Sequence, residues 1–393
     1  MLASPNTSNS NNWYNINNNG NNNNNNTNNN YGVAPELCIR RIPKTMQNGT
    51  NITNSDVSYS NKVIDTNNAI SFNAIFTYKH LYNSFEKCTK GVKWKSSTQA
   101  YMLNACCRVA RLYKELQNGT YKIHALHSFT LKDRGKVRQI TPLGFENRIV
   151  NKCLCDYYLN PLLKKSLIYD CGATIKGRGL SFTKKRLLIH LQKYYRKYGN
   201  NGYVLKLDIH DYFNSINQDI LMEKLSKKIA DKRVLNLIYE LLKTSPKGLG
   251  LGSQFSQICA IYYLNDLDHY IKEQLRFKFY ARYMDDMYII SNNKQELIRA
   301  KTLIVSKLKE FDLELSYGKS KIYELKQGFK FCQTRYVLTE TGKIKRYICS
   351  RSFKSMKNKI NKGIEINNIL PSFIAYISQF NAHRQLYTLL RSL

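Results

Sequence analysis

Asp208 directly follows the apolar run Tyr203-Val-Leu-Lys-Leu207, and Asp285 and Asp286 interrupt a second apolar stretch between Phe279-Tyr-Ala-Arg-Tyr-Met284 and Met287-Tyr-Ile-Ile290. A carboxylate at a strand end beside a carboxylate pair at a hairpin tip holds two hard cations about 4 Å apart. That arrangement serves phosphoryl transfer. One cation lowers the pKa of an attacking hydroxyl, the other neutralises the leaving pyrophosphate, and both stabilise the in-line transition state. An acidic pair in an apolar hairpin is also compatible with an exposed turn, so spacing alone leaves both readings standing.

Positioning these acids requires a strand at Tyr203–Leu207 and a strand pair within Phe279–Ser291. Around them the periodicity is helical over Gln99–Leu116, ended by Asn118-Gly119, and over Asn147 to about Lys165, Ser181–Tyr198 and Gln218–Leu242. Phe129-Thr-Leu-Lys-Asp-Arg-Gly-Lys-Val-Arg-Gln-Ile140 reads as two short strands around an Asp-Arg-Gly turn with basic residues at its tip. Helices and strands alternate without an internal repeat, so the class is α/β (α+β).

Of 393 residues, 61 are Lys or Arg and 27 are Asp or Glu, a net charge of +34 that calls for a polyanionic partner. Little of it lies at the N-terminus, where Arg40, Arg41 and Lys44 face Glu36 and Asp56 across residues 1–60, a net of +1. Residues 1–30 hold 17 Asn, including the run Asn21–Asn26, a composition that buries too little apolar surface to offset its ordering entropy. Residues 1–65 are therefore expected as a disordered Asn-rich arm. The ten cysteines show no Cys-x-x-Cys pair and no zinc-finger spacing, the pattern of free thiols in a reducing cytosol with no structural metal. With no signal-like start and no membrane-length apolar run, a soluble cytoplasmic protein without a membrane partner is expected.

Tyr283-Met-Asp-Asp286, with Asp208 in Leu-Asp-Ile-His-Asp-Tyr-Phe213, resembles the palm motifs of reverse transcriptases. The resemblance continues in order over about residues 70–340: Phe129–Ile140 is similar to the fingers hairpin, Gly177-Arg-Gly-Leu-Ser181 to the next fingers motif, and Gly248–Asp268 to the loop and helix that contact template and nucleotide. Leu315-Ser-Tyr-Gly-Lys-Ser320 is similar to the lysine-bearing palm loop, and Gly328-Phe-Lys-Phe-Cys332 to the primer grip. The resemblance implies that Asp208, Asp285 and Asp286, with the Ile209 carbonyl, bind two Mg²⁺ ions, Mn²⁺ being the alternative. Asp208 and Asp285 are the favoured direct ligands. It implies that Phe213 excludes a ribose 2′-hydroxyl, that Lys136 and Arg138 embrace the triphosphate, and that Lys319 protonates the leaving pyrophosphate, with Lys321 close by.

Leu251-Gly-Ser-Gln-Phe-Ser-Gln257 separates subfamilies. Most reverse transcriptases have Gln before this Gly and Pro after this Ser; Leu251 and Gln257 stand there instead. With Gly252 and Ser256 they resemble the motif of diversity-generating retroelement enzymes, and Ala260–Lys272 agrees. An apolar Leu251 in place of a nucleotide-contacting amide loosens control of the nascent pair, so error-prone synthesis is expected. Asn codons begin with two adenines, and this family mutagenises copies of an adenine-rich repeat. The Asn tract therefore reads either as translation of an abutting repeat or as an ordinary low-complexity tail.

The implied architecture is a right-hand polymerase: an arm over 1–65, fingers over 66–200, palm over 201–327, and primer grip and small thumb over 328–393. The cations of Lys343–Lys362 interleave with apolar residues, as expected of an element that packs on the palm and follows a duplex through its phosphates. Implied partners are an RNA template, a DNA or RNA primer, dNTPs, a structured RNA and a small basic accessory protein. No endonuclease, maturase DNA-binding or RNase H segment is recognisable after residue 340. Competing readings are an antiphage-defence reverse transcriptase, copying a dedicated noncoding RNA or self-priming, and an inactive RNA-binding module. The presence of all three acids argues against the last.

Overall fold

The computed structural model of the protein describes residues 70–123, 129–133, 136–140, 142–361, 366–382, 386–387 and 391. The expected Asn-rich arm lies outside these residues. The described chain opens with α1 (Phe72–Ile75) and α2 (Tyr78–Thr89), capped by Ser71 and Thr77, whose hydroxyls accept from the backbone N–H groups of Ala74 and His80. The single helix expected over Gln99–Leu116 is instead two, α3 (Ser96–Met102) and α4 (Ala105–Asn118). Leu103 at the break is 80% exposed, so a residue that prolonged the apolar pattern faces solvent. α4 ends at Gly119, where φ of 71° suits a residue without a Cβ.

The hairpin of β1 (Phe129–Asp133) and β2 (Lys136–Ile140) forms as expected, its Arg134-Gly135 tip lying outside the described residues. α5 (Phe145–Leu154), a π-helical turn at Cys155–Leu159, α6 (Asn160–Lys164) and α7 (Leu180–Tyr198) follow. Next come β3 (Tyr203–Leu207), α8 (Tyr212–Ser215), α9 (Gln218–Ser226) and α10 (Lys232–Lys243). The last two replace one expected helix over Gln218–Leu242. Asp231 starts the second by accepting from the Arg233 N–H at 2.8 Å.

α11 (Gln254–Tyr263) and α12 (Asn265–His269) lead into β4 (Tyr280–Tyr283) and β5 (Asp286–Ser291), followed by α13 (Lys294–Lys309) and β6 (Ile322–Glu324). These strands form an antiparallel sheet in the order β4-β5-β3-β6. Alternation along β3 and β5 divides the core. Leu205, Leu207, Met287 and Ile289 join the large cluster that includes α9, α10, α11 and α13, while Val204, Tyr288 and Ile290 join α7 residues on the other face. That second core is completed by Phe329, Phe331 and Tyr336 from the antiparallel sheet of β7 (Phe329–Phe331), β8 (Thr334–Leu338) and β9 (Ile344–Ile348). α14 (Ser350–Asn361) and α15 (Ile366–Ile377) contribute Met356 and Phe373 to a small core of their own with Ile348. Among the described residues no helix is long and apolar enough to cross a membrane.

Candidate active site

Leu207 pairs with Met287 at the last step of the β3–β5 ladder, so Asp208 leaves β3 beside the start of β5, where Asp286 stands. Tyr283 pairs with Asp286, leaving Met284 and Asp285 as a two-residue turn. Met284 takes φ of 55°, a left-handed conformation that costs a non-glycine residue about 1–2 kcal/mol. The three acids thus meet at one end of the sheet.

The loop after α13 fixes the first of them. The Asp208 N–H donates to Ser320 Oγ at 3.1 Å and its carbonyl accepts from the Ser316 N–H at 2.8 Å. The same loop brings Lys319 Nζ to 2.6 Å from Asp208 Oδ2, and this hydrogen bond holds the ammonium above its ordinary pKa. Asp286 is fixed from the opposite side: Oδ2 accepts from the Cys332 N–H at 3.1 Å and Oδ1 lies 3.4 Å from Lys206 Nζ. Burial raises the Asp286 carboxyl to about 6 against the pull of Lys206. Burial, and then the charge of Asp208, also raise Asp285.

This donor set fits hard divalent cations. All three side chains offer carboxylate oxygens, the Asp286 Oδ1 is buried without a hydrogen bond, and Asp285 is raised by burial and then by the like charge of Asp208, which a cation would offset. Among the described residues no group of three or more His, Cys, Asp or Glu side chains is already arranged to hold a metal ion, and Lys319 sits on Asp208 Oδ2. Lys319 takes up only Oδ2 of Asp208, through this one hydrogen bond.

The residues expected to meet the nucleotide fall in two groups. Ile209 is buried and bridges Leu315, beside Asp208. Half-buried Phe213 lies on α8 with its ring 5.9 Å from that of Tyr212. Its carbonyl accepts from the Leu249 N–H at 2.8 Å, and a Cβ on Gly248 would stand 2.2 Å from the same oxygen. Glycine, here at φ of 59°, is what lets the 248–252 loop seat on α8. Half-buried Leu251 follows, then Gly252 at φ of 101°. Ser253 caps α11 by accepting from the Ser256 N–H at 2.9 Å, and the buried Ser256 hydroxyl lies 2.8 Å from that of Ser253. Gln257 is half-buried in the first turn. Lys136 and Arg138 lie on β2 in register with Asp133 and Leu131; their side chains are outside the described parts of the chain.

The structure therefore brings Asp208, Ile209, Asp285, Asp286 and Lys319 together, and Phe213 together with the Leu251–Gln257 segment. Sequence reasoning missed Lys206 and the Cys332 amide. A lysine inside the apolar run of β3 was a readable signal for the first; a backbone donor leaves no trace in residue type.

The family model described as "Reverse transcriptase (RNA-dependent DNA polymerase)" matches residues 130–336. Among solved structures, telomerase from Candida albicans with a fragment of telomeric RNA is 11% identical, with a TM-score of 0.47 over 58% of this chain and 47% of that one. Apo telomerase from Candida tropicalis, truncated from its C-terminal domain, is 13% identical with a TM-score of 0.44 over 56% of this chain and 54% of that one. The chain thus spans about half the length of these telomerases. No curated protein sequence matches significantly. Since the matched residues take in over half of the chain, from β1 through the acid turn, the Lys319 loop and most of β8, the chain belongs to the reverse transcriptase family of RNA-directed DNA polymerases, which are nucleotidyltransferases.

Proposed function

We propose that the protein extends a DNA or RNA primer on an RNA template, joining dNTPs by phosphoryl transfer at Asp208, Asp285 and Asp286. The convergence of these carboxylates at one sheet end, with burial and mutual repulsion raising Asp285 and Asp286, carries this reading. Two Mg²⁺ ions, or Mn²⁺, would be held by Asp208, Asp285 and the Ile209 carbonyl with Asp286 alongside; when bound they supply nucleophile activation and transition-state charge stabilisation. Lys319 is protonated and already at this site, so it is the group to give a proton to the departing pyrophosphate. Phe213 closes the sugar pocket against a 2′-hydroxyl. Lys136 and Arg138 on β2 engage the triphosphate. In this reading residues 66–200 are fingers, 201–327 palm, and 328–393 primer grip and thumb.

The finer assignment is error-prone cDNA synthesis from a template-repeat RNA in a diversity-generating retroelement, assisted by a structured RNA and a small basic accessory protein. Its support is Leu251: an apolar side chain on a loop seated against the α8 backbone offers no hydrogen bond with which to favour a correctly placed nucleotide. The test is to copy a defined RNA with the parent and with Leu251→Gln and to sequence the cDNA. The parent is expected to misincorporate opposite template adenine, and the amide to reduce this about fivefold, equivalent to about 1 kcal/mol of discrimination. A parent already accurate at adenine removes the mutagenic reading and favours a defence enzyme copying a dedicated noncoding RNA.

A further inference from the structure

Arg282 lies on β4, two residues before Met284, with its side chain 0% exposed. Its guanidinium donates in several directions: Nε to Asp268 Oδ1 at 2.8 Å, Nη2 to Asp268 Oδ2 at 2.5 Å and to the Ile261 carbonyl at 2.9 Å, and Nη1 to the Met284 carbonyl at 3.1 Å. Asp268, equally buried, also accepts from the Tyr280 hydroxyl at 2.6 Å. A buried ion pair is weak evidence for stability, since desolvation offsets the attraction and apolar replacements of similar volume often serve as well. What this pair joins supplies the stronger reason for its presence.

One end of the guanidinium holds the carbonyl of Met284, the residue whose left-handed backbone creates the acid turn. Such conformations persist only where the surroundings over-determine them. The other end caps α11. Near this terminus the carbonyls run out of helical donors, and groups from elsewhere take them: Tyr212 Oη donates to Ala260, Arg282 to Ile261, and Lys224 Nζ to Tyr263 at 2.6 Å. Cations at a helix C-terminus are also favoured by its dipole. The opposite end of α11, about 15 Å away for a helix of 10 residues, carries Ser253, Ser256 and the Leu251 loop.

We propose that Arg282 is a positioning residue for nucleotidyl transfer, pinning the Met284–Asp285 turn to the C-terminal end of α11 so that Asp285 and the nucleotide loop share one frame. This rests on the reading of Asp285 as catalytic. Arg282→Lys keeps a cation beside Asp268 but lacks the separate donors of the guanidinium. The expected variant folds and binds RNA as the parent does, while its maximal incorporation rate falls by on the order of 10- to 100-fold, the cost of misplacing reacting groups by about an ångström. The dNTP KM stays near the parental value. The Mg²⁺ concentration for half-maximal rate rises several-fold, and amide hydrogen exchange quickens across residues 283–287 but not in β3. Leu308→Ala, in the core on α13, supplies a destabilised control whose rate per folded molecule and Mg²⁺ dependence remain parental. If Arg282→Lys does not fold, Arg282→Met combined with Asp268→Leu is read by the same measurements. Parental rate and Mg²⁺ dependence in a folded variant, unchanged exchange at the turn, or failure of both variants to fold overturns the proposal. A parent that makes no DNA, or an Asp285→Asn protein that does, removes the polymerase reading instead.

Discussion

Two lysines compensate two of the three acids. Lys319 hydrogen-bonds Asp208 and Lys206 faces Asp286, while Asp285 at the turn is raised by burial and by the charge of Asp208. The site is thus assembled from like charges that the sheet forces together, which is costly unless cations are part of the working state. Phe213 illustrates how a neighbouring residue is held: its backbone is fixed by Leu249 and Gly248, its ring contacts Tyr212, and its side chain remains only half-buried. Truncation to Phe213→Ala should spare this backbone and open the sugar pocket. Discrimination against ribonucleotides is expected to fall by roughly 10- to 100-fold, within the range of pocket-based selectivity. Competition between dNTP and rNTP in primer extension checks it; unchanged discrimination would show that Phe213 is only a packing residue.

At the scale of elements, α7 joins the sheet through a buried polar knot. His190 Nε2 lies 3.2 Å from Arg186 Nη2 and 3.6 Å from Asp170 Oδ1, and Nδ1 lies 2.9 Å from Tyr288 Oη. Arginine can only donate, so the neutral ring accepts at Nε2 and gives its Nδ1 proton to Tyr288. Burial lowers this imidazole from 6.5 to about 4, against the attraction of Asp170 and with the repulsion of Lys272 and Arg186. The unfolded chain therefore takes up a proton before the folded one does: the contribution is present above pH 6.5 and lost as pH falls towards 4, by up to about 3 kcal/mol. The raised carboxyl of Asp286 acts with the opposite sign below about pH 6, so a comparison isolates the histidine. His190→Gln should flatten the decline in denaturant-measured stability between pH 6.5 and 4.5; an unchanged slope would contradict the assignment.

These elements also show what the sequence carries. β3 is readable to the residue because a short apolar run buried on both faces has few alternatives. The breaks at Leu103 and near Asp231 are harder: periodicity continues through both, and only the Asp231 cap is a local signal. The acids were legible from type and position, whereas the Arg282–Asp268 pair was not, because two charges in apolar runs 14 residues apart reveal their contact only after folding.

At the scale of the whole molecule, the charge of +34 is carried almost entirely beyond residue 60. RNA affinity should fall steeply with salt, at a log–log slope of roughly −0.7 to −0.9 per phosphate contact. Removing residues 1–60 takes away a net charge of only +1 and is expected to leave that slope unchanged; a large loss of affinity would make the Asn-rich segment a binding element.

The most direct test of the account is primer extension on an RNA template with dNTPs and Mg²⁺, comparing the parent with Asp285→Asn. An amide preserves shape but cannot balance a divalent cation, so RNA binding should survive while DNA synthesis falls by more than about a thousandfold, at least 4 kcal/mol in activation free energy. A parent that synthesises no DNA, or an Asn variant that synthesises it at a comparable rate, would contradict the claim that this sheet end is the polymerase centre.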